Sequence, residues 1–216
     1  MPRVREGDPG QAWRDEIIRI LYTSGPGPGG NGEITMTFTE LLNTRQSVRR
    51  YQERPVEVEK LETLIEAVRL SPSASNSQPW KLVVVNDAEL RGRVARATFS
   101  KALAFNQFSL AAPVIVVFCV EKAGLVTQVG GLLKKRQFSL IDIGIAAAHF
   151  CLQAAELGLG TCMLGWFDEK KIKQLLGIPR GTRIGLLVTL GYAAPDDRLR
   201  EKSRKSPGLI SRFNRY

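Results

Sequence analysis

Residues Ser71–Trp80 read SPSASNSQPW, a polar stretch between two apolar patterns. Before it, apolar residues recur three and four positions apart from Val58 to Val68, which predicts an amphipathic helix after Pro55. After it, Leu82–Val85 is a short apolar run rich in valine, typical of a strand. Two prolines stiffen the stretch, and its short polar side chains suit recognition of a heteroaromatic ring edge. A simple helix stop with Trp80 packed into the core is the alternative that these residues leave open.

Outward from this loop, helical and strand patterns alternate, which predicts an α/β or α+β domain. The helix Phe138–Leu157 is rich in alanine and apolar nearly all round, so it belongs in a core or an interface. The other predicted helices are Thr37–Thr44, Leu90–Ala104, which has Arg91 on its surface, and a helix that Asp168 caps and that ends at Gly177. The other predicted strands are Val114–Val120 and Ile184–Leu190.

The first 35 residues differ from the rest. The run Ser24–Gly32 reads SGPGPGGNG, which can hold neither a helix nor a strand and is typical of a linker. A short amphipathic helix around Trp13 precedes it, and Met36 follows it as a candidate translation start. We therefore expect an extension and linker over 1–35 and one domain over 36–216.

Composition narrows the function classes. The chain has 216 residues, three cysteines without motif spacing and one histidine, His149, so a structural zinc site and a Ser-His-Asp triad are poorly supported. Apolar stretches such as Ala111–Val120 are too short to cross a bilayer, and no secretory signal is evident. We expect a cytoplasmic protein with free thiols. The net charge of +10 favours anionic partners: a nucleic acid, a membrane surface or a phosphorylated small molecule.

Three further segments carry candidate chemistry. Arg45–Arg49 places two guanidinium groups around the Ser47 hydroxyl, a donor set for a phosphate, or else a solvated basic turn. Gly158–Phe167 is rich in glycine, which lets a backbone approach a flat ligand, but it lacks the GxGxxG fingerprint, so a Rossmann site is disfavoured. Arg198–Lys205 is a basic stretch that suits a solvated tail. A nucleic-acid partner is disfavoured, because no aromatic residue interleaves with these charges and no nucleic-acid motif is present.

Taken in order, these segments resemble the nitroreductase family of enzymes that depend on flavin mononucleotide (FMN). Arg-x-Ser-x-Arg at 45–49, Pro-Ser-x-x-Asn-x-Gln-Pro-Trp at 72–80, the segment Ala155–Cys162 and Leu-Gly-Tyr at 190–192 carry the resemblance. It implies an α+β homodimer with a central, mostly antiparallel sheet flanked by helices and with FMN at the subunit interface. It also implies NADH or NADPH as hydride donor and a small electron-poor acceptor, such as a nitroaromatic or a quinone.

The resemblance carries site residues over by position. No side chain is expected to be catalytic, because flavin N5 does the chemistry, and Arg49 would stabilise the reduced flavin. Asn106 would read the pyrimidine edge, while Pro72, Ser73 and Asn76 would reach the flavin from the partner subunit. The remaining expected contacts are Arg45, Gln46, Ser47 and Arg49 along the phosphate, ribityl chain and ring edge, Lys202 and Arg204 at the phosphate, and Met163, Leu164 and Gly165 under the ring.

Two differences from the family's usual sequence leave the identity of the electron acceptor open. Family members often carry a Pro-x-Glu-Gly loop under the ring, where this chain has Met163–Trp166, and the segment Glu121–Gln137 is short where many members carry an insertion. Dehalogenation and flavin breakdown therefore stay as alternatives within the family. A basic module that binds FMN or nucleic acid without catalysis is the alternative outside enzymes.

Overall fold

The computed structural model describes residues 36–100, 103–121 and 137–216. They form two compact units: a larger one, Leu41–Leu199, and a smaller one, which comprises the described residues up to Glu40 together with Arg200–Tyr216. The predicted linker, the helix around Trp13 and most of the segment Glu121–Gln137 lie outside the described residues, so the predicted domain boundary at residue 36 stays a prediction.

The larger unit is built on a sheet of four strands in the order β1-β2-β4-β3, and every neighbouring pair is antiparallel. The predicted antiparallel sheet is thereby confirmed. The predicted strands are confirmed within two residues at each end, whereas β3 lies in the glycine-rich segment, where no strand was predicted. The strands are β1 Trp80–Val85, β2 Val114–Val120, β3 Gly160–Leu164 and β4 Arg183–Gly191.

Helices flank both faces of this sheet, because successive side chains of the central strand β2 point to opposite sides. Val114, Val116 and Phe118 pack with α2 and α4, and the rings of Phe118 and Phe150 meet edge to face at 5.7 Å. Ile115, Val117 and Cys119 pack with α3 and α5 on the other face. The helices are α1 Phe38–Thr44, α2 Val58–Arg69, α3 Ala88–Arg96, α4 Phe138–Glu156, α5 Glu169–Leu176 and, in the smaller unit, α6 Pro207–Ile210.

The predicted helix over 90–104 was wrong in its second half, since α3 ends at Arg96. The Thr98 amide and hydroxyl both donate to the Ala95 carbonyl, at 2.9 and 2.8 Å, and this tightens and closes the last turn. The expected surface position of Arg91 was also wrong. This side chain is half-buried, and its Nη1 donates to the Ala112 carbonyl at 2.6 Å.

Helix α4 buries one face in the core and leaves the other partly accessible. Ile143, Ala147 and Phe150 are buried, whereas Ile141 is 53% exposed. By length and composition alone the 19 residues of α4 could cross a membrane, which corrects the expectation that every apolar stretch is too short. Its packing against the sheet is that of a core helix in this fold.

A polar cluster joins the start of α2 to the end of β4. The Tyr192 hydroxyl donates to Glu57 Oε2 at 2.7 Å, Arg54 pairs with the same carboxylate at 2.7 Å, and Lys60 Nζ lies 2.8 Å from the Tyr192 hydroxyl. The hydrogen bond from Tyr192, aided by Arg54, lowers the pKa of Glu57 to about 2. Glu57 therefore stays ionised through the physiological range and ties the two elements together.

Candidate functional site

Two segments that are more than a hundred residues apart in sequence meet along strand β3. After α1 ends, Ser47 forms a parallel bridge with Thr161, and the Val48 amide donates to the Thr161 carbonyl at 2.8 Å. The segment Arg45–Arg49 therefore runs alongside β3 in the same direction. The arginine-rich and glycine-rich motifs form one structural unit.

Gly160 makes this close approach possible. A Cβ at this position would lie 2.6, 2.8 and 2.9 Å from three side-chain carbons of Val48. Real Cβ contacts are not that short, so any larger residue would push the arginine-rich segment off the strand. The sequence analysis expected the glycines of this segment to let a backbone approach a flat ligand, whereas Gly160 makes room for the Val48 side chain.

Tyr51 locks the same segment from the other side. Its hydroxyl donates to the Val48 carbonyl at 2.9 Å and lies 2.8 Å from Thr189 Oγ1 on β4. Burial raises the pKa of Tyr51 well above its usual value, so the hydroxyl keeps its proton and remains a donor. Val48 is thus fixed through its amide, its carbonyl and its side chain.

The start of this segment lines a cleft of about 230 Å³, whose wall includes Arg45, Gln46 and Thr161. Arg45 and Gln46 are half-buried, and Gln46 Nε2 donates to the Arg198 carbonyl at 3.2 Å. A guanidinium and amide donors suit an anionic group. Asp197 belongs to the same wall, and its negative charge would oppose an anion there.

The end of the segment reaches a second group of predicted residues. The Arg49 guanidinium carbon lies 5.8 Å from the centre of the Phe108 ring. Two residues earlier, Asn106 is buried, and its Nδ2 donates at 3.1 Å both to the Thr98 carbonyl and to the Trp166 carbonyl. Asn106 therefore braces the loop that follows β3, and its expected contact with a pyrimidine edge stays a prediction.

The residues expected under the flavin ring lie at the end of β3. Met163 is 43% exposed and Gly165 is exposed, whereas the Leu164 side chain is buried. Trp166, also exposed, meets the ring of Phe105 edge-on at 6.4 Å between centroids. The backbone of this loop is thus accessible, and two large aromatic side chains stand beside it.

The loop Ser71–Trp80 has an unusual backbone. Ser75, Asn76 and Gln78 have φ angles of 52°, 51° and 44°, in the left-handed region that L side chains disfavour. Pro72 and Asn76 are exposed, whereas Ser73 is half-buried and its Oγ accepts from the Gln78 amide at 2.9 Å. Trp80 begins β1 and packs against the core, so the loop is ordered on both sides.

Lys202 and Arg204 belong to the smaller compact unit. Lys202 is half-buried, and Arg204 is exposed with its Nη1 donating to the Ser203 carbonyl at 2.7 Å. Their expected part in a phosphate site rests on the resemblance and stays a prediction.

Metal and thiol chemistry find little support in the described part of the chain. No group of three or more His, Cys, Asp or Glu residues there could hold a metal ion. All three cysteines are buried and free, and burial raises the pKa of Cys119 and Cys151 to about 11. Both therefore remain protonated near neutral pH and are poor nucleophiles.

Sequence reasoning missed several residues that shape the site: Val48, which faces Gly160, Phe108, which lies beside Arg49, and Asp142 and His149 of α4, which contact the polar loop at Ala74 and Ser71. Val48 and Phe108 are apolar, and nothing in their local pattern separates them from core residues. Asp142 offered a signal, since it is the one charged residue between 138 and 155 in an otherwise apolar helix. His149, seven positions further along, is the chain's single histidine.

Comparison with known proteins identifies the family to which this fold and site belong. Residues 42–192 match the nitroreductase family, an extent that includes the arginine-rich segment, the polar loop and all four strands. The chain belongs to the nitroreductase family.

Relatives within the family carry several activities. The chain is 27% identical over 199 residues to an oxygen-insensitive NADPH nitroreductase of Helicobacter acinonychis, covering 77% of this chain and 90% of that protein. It is 25% identical to iodotyrosine deiodinase 1 of Mus musculus, covering 78% of this chain and 66% of that protein. Among solved structures, it superposes on an FMN-dependent nitroreductase of Clostridium difficile with a TM-score of 0.66 and 26% identity, covering 82% and 98% of the two chains. These relatives support an oxidoreductase with the nitroreductase α+β fold.

Proposed function

We propose that the protein is an FMN-dependent oxidoreductase that transfers hydride from NADH or NADPH to a small electron-poor acceptor such as a nitroaromatic or a quinone. The course of Arg45–Arg49 alongside β3 carries the proposal. Arg45 and Arg49 are about 13 Å apart if the segment is extended at roughly 3.3 Å per residue. A ligand with a phosphate at one end and a flat ring at the other suits such a pair of cations.

The residues present fit a phosphate-bearing flavin. Arg45 and Ser47 would hold the phosphate end through charge-assisted and neutral hydrogen bonds, and Lys202 and Arg204 would add to it. Arg49 would place a positive charge beside the ring, and the accessible backbone of Met163–Gly165 would lie under it. When bound, FMN supplies the atom that accepts and then donates hydride, so the chain needs no side-chain nucleophile.

A homodimer follows from the same proposal. The accessible face of α4 carries Ile141, which is 53% exposed, and the half-buried Leu140, Ile145 and Leu152. An obligate interface would cover these apolar side chains, as it does in dimers whose subunits share a core. The loop Pro72–Asn76 would then reach the flavin of the second subunit.

The cysteines fit a reducing compartment. Three free, buried thiols in a chain of this size are typical of the cytoplasm, where disulfides are rare. We infer a cytoplasmic enzyme on this ground.

The absorption spectrum of the purified protein, followed by NADH or NADPH oxidation in the presence of a quinone and of a nitroaromatic, tests the proposal. We expect a yellow protein with bound FMN and turnover with at least one donor and one acceptor. A colourless protein that FMN cannot reconstitute would contradict the cofactor. Tight FMN binding without turnover would instead indicate a binding module.

Reductive dehalogenation is the second candidate, favoured by the similarity to iodotyrosine deiodinase 1. In that reaction hydride from NAD(P)H replaces iodide on an aromatic ring, and the products are the aryl-H compound, iodide and NAD(P)+. Release of iodide from an iodophenol at a rate above nitroaromatic and quinone reduction would favour this function over the first.

A further inference from the structure

The polar loop holds a conformation that its own sequence disfavours. Three of its non-glycine residues, Ser75, Asn76 and Gln78, have positive φ angles, at 52°, 51° and 44°. Backbone of this kind persists only where surrounding contacts over-determine it. Some bonds are internal to the loop, such as the Asn76 amide to the Ser73 carbonyl at 3.0 Å. Others come from α4.

Asp142 of α4 makes the central contact. Its Oδ1 accepts a hydrogen bond from the Ala74 amide at 3.1 Å, and its side chain is almost completely buried at 3% exposure. Its other oxygen, Oδ2, is buried without a hydrogen-bond partner among the described residues. A buried carboxylate is costly, and an apolar residue would pack better on a helix that is otherwise apolar. Packing therefore does not explain why an aspartate occupies position 142, whereas its hydrogen bond to the loop does.

His149 provides a second contact from the same face of α4, because residues seven positions apart lie two turns apart on one side of a helix. Its Nδ1 lies 3.0 Å from Ser71 Oγ. The Ser71 hydroxyl already donates its one proton to the Ala67 carbonyl at 3.0 Å, so His149 Nδ1 is the donor. Helix α4 thus holds the loop at Ser71 and again at Ala74.

We propose that Asp142 is a positioning residue, which fixes the loop Ser73–Asn76 in the strained conformation that meets the flavin. This inference rests on the proposed function, since the loop is the segment that would reach the cofactor of the second subunit. Asp142 itself touches no reacting atom. It acts through the Ala74 amide, and His149 fixes the point where the chain leaves α2.

The test compares Asp142→Ala and Asp142→Asn with Ile143→Ala in the full chain. Ile143 is equally buried in α4 but packs toward Gly185 on β4. In the cofactor-free protein, we expect hydrogen exchange at the Ala74 amide to accelerate by about 10- to 100-fold in Asp142→Ala, the equivalent of one charge-assisted hydrogen bond. Asp142→Asn keeps an acceptor oxygen and should restore part of this protection, whereas Ile143→Ala should speed exchange of core and loop amides alike, without a particular effect at Ala74.

FMN titration of the same variants gives the second readout. We expect affinity per folded molecule to fall about tenfold or more in Asp142→Ala, to recover partly in Asp142→Asn and to stay unchanged in Ile143→Ala. Unchanged exchange at Ala74 in Asp142→Ala would overturn the contact, and faster exchange with unchanged FMN affinity would overturn the positioning role. Absence of FMN binding by the unaltered protein would overturn the proposed function itself, whatever the exchange shows.

Discussion

Replacing Gly160 by alanine tests whether β3 holds the arginine-rich segment in place. The added methyl group would lie between 2.6 and 2.9 Å from three carbons of the Val48 side chain. Val48 cannot yield easily, because its amide bonds to Thr161 and its carbonyl accepts from the buried Tyr51 hydroxyl. The substitution must therefore either strain the core or displace the segment that carries Ser47.

The magnitude follows from these contacts. Overpacking of a close contact costs about 1–3 kcal/mol, and loss of the Val48–Thr161 hydrogen bond would add about 1 kcal/mol. For a chain of this length each kcal/mol lowers the melting temperature by roughly 2–4 °C, so we expect a fall of about 4–16 °C. If the segment shifts, one phosphate contact is lost and FMN affinity falls about 10- to 100-fold.

Thermal unfolding and FMN titration measure the two effects, and Gly181→Ala is the matched control. Gly181 is exposed, and a Cβ there would meet no atom within 4 Å. We expect the control to change stability by no more than about 0.5 kcal/mol. If Gly160→Ala has the same melting temperature and the same FMN affinity as Gly181→Ala, then Val48 moves freely and strand β3 does not hold the arginine-rich segment.

Four further predictions follow. Arg204→Ala should weaken FMN binding about 10- to 100-fold, whereas Arg93→Ala, an exposed arginine of α3, should leave it unchanged; equal affinities would contradict the phosphate role. Because the pKa of Glu57 is lowered to about 2, its stabilising effect is complete above its unfolded pKa and is lost as pH falls from about 4.5 toward 2. Glu57→Gln should therefore make the free energy of unfolding less dependent on pH in that window, and a pH profile parallel to that of the unaltered protein would refute the effect. A chain beginning at Met36 should fold and bind FMN like the full chain, and loss of either on truncation would show that the first 35 residues pack on the domain. The active species should be a dimer with ping-pong kinetics, because donor and acceptor must use one open face of the ring in turn; intersecting double-reciprocal lines or an active monomer would argue against this.

Much of the architecture could be read from periodicity, because long apolar repeats leave few alternatives. Strand β2 and helix α4 were predicted to within one residue, since both lie against the core and their patterns are unbroken. Helix α3 was predicted too long, because the hydroxyl of Thr98 that closes it is a single side chain with no periodic signature. The strand β3 was missed for a related reason. Its pattern is short, and its first residue is a glycine.

For the candidate site, too, residue types could be predicted from the sequence and contacts between distant segments could not. The arginine-rich and glycine-rich segments could be singled out from residue types, but their contact could not, because it depends on pairing between residues more than a hundred positions apart. The glycines of 158–167 were expected to make room for a ligand, and only the facing Val48 shows why no side chain fits at Gly160. Asn106 was expected to face a ligand, and the structure shows its amide engaged with the Thr98 and Trp166 carbonyls.

The residues that build this framework are separate from those that stand where an acceptor would bind. The Tyr51 hydroxyl, the Thr161 carbonyl and the missing side chain at Gly160 hold the arginine-rich segment at Val48, and these contacts say nothing about the acceptor's shape or charge. The Met163 and Trp166 side chains beside the end of β3 are exposed, at 43% and 55%, and lie outside the buried core. If the cofactor supplies the hydride chemistry, these side chains are candidates for selecting between acceptors. The same fold can then serve relatives with names as different as nitroreductase and deiodinase. The acceptor of this protein should therefore be sought through variants at Met163 and Trp166 rather than at Arg45 and Arg49.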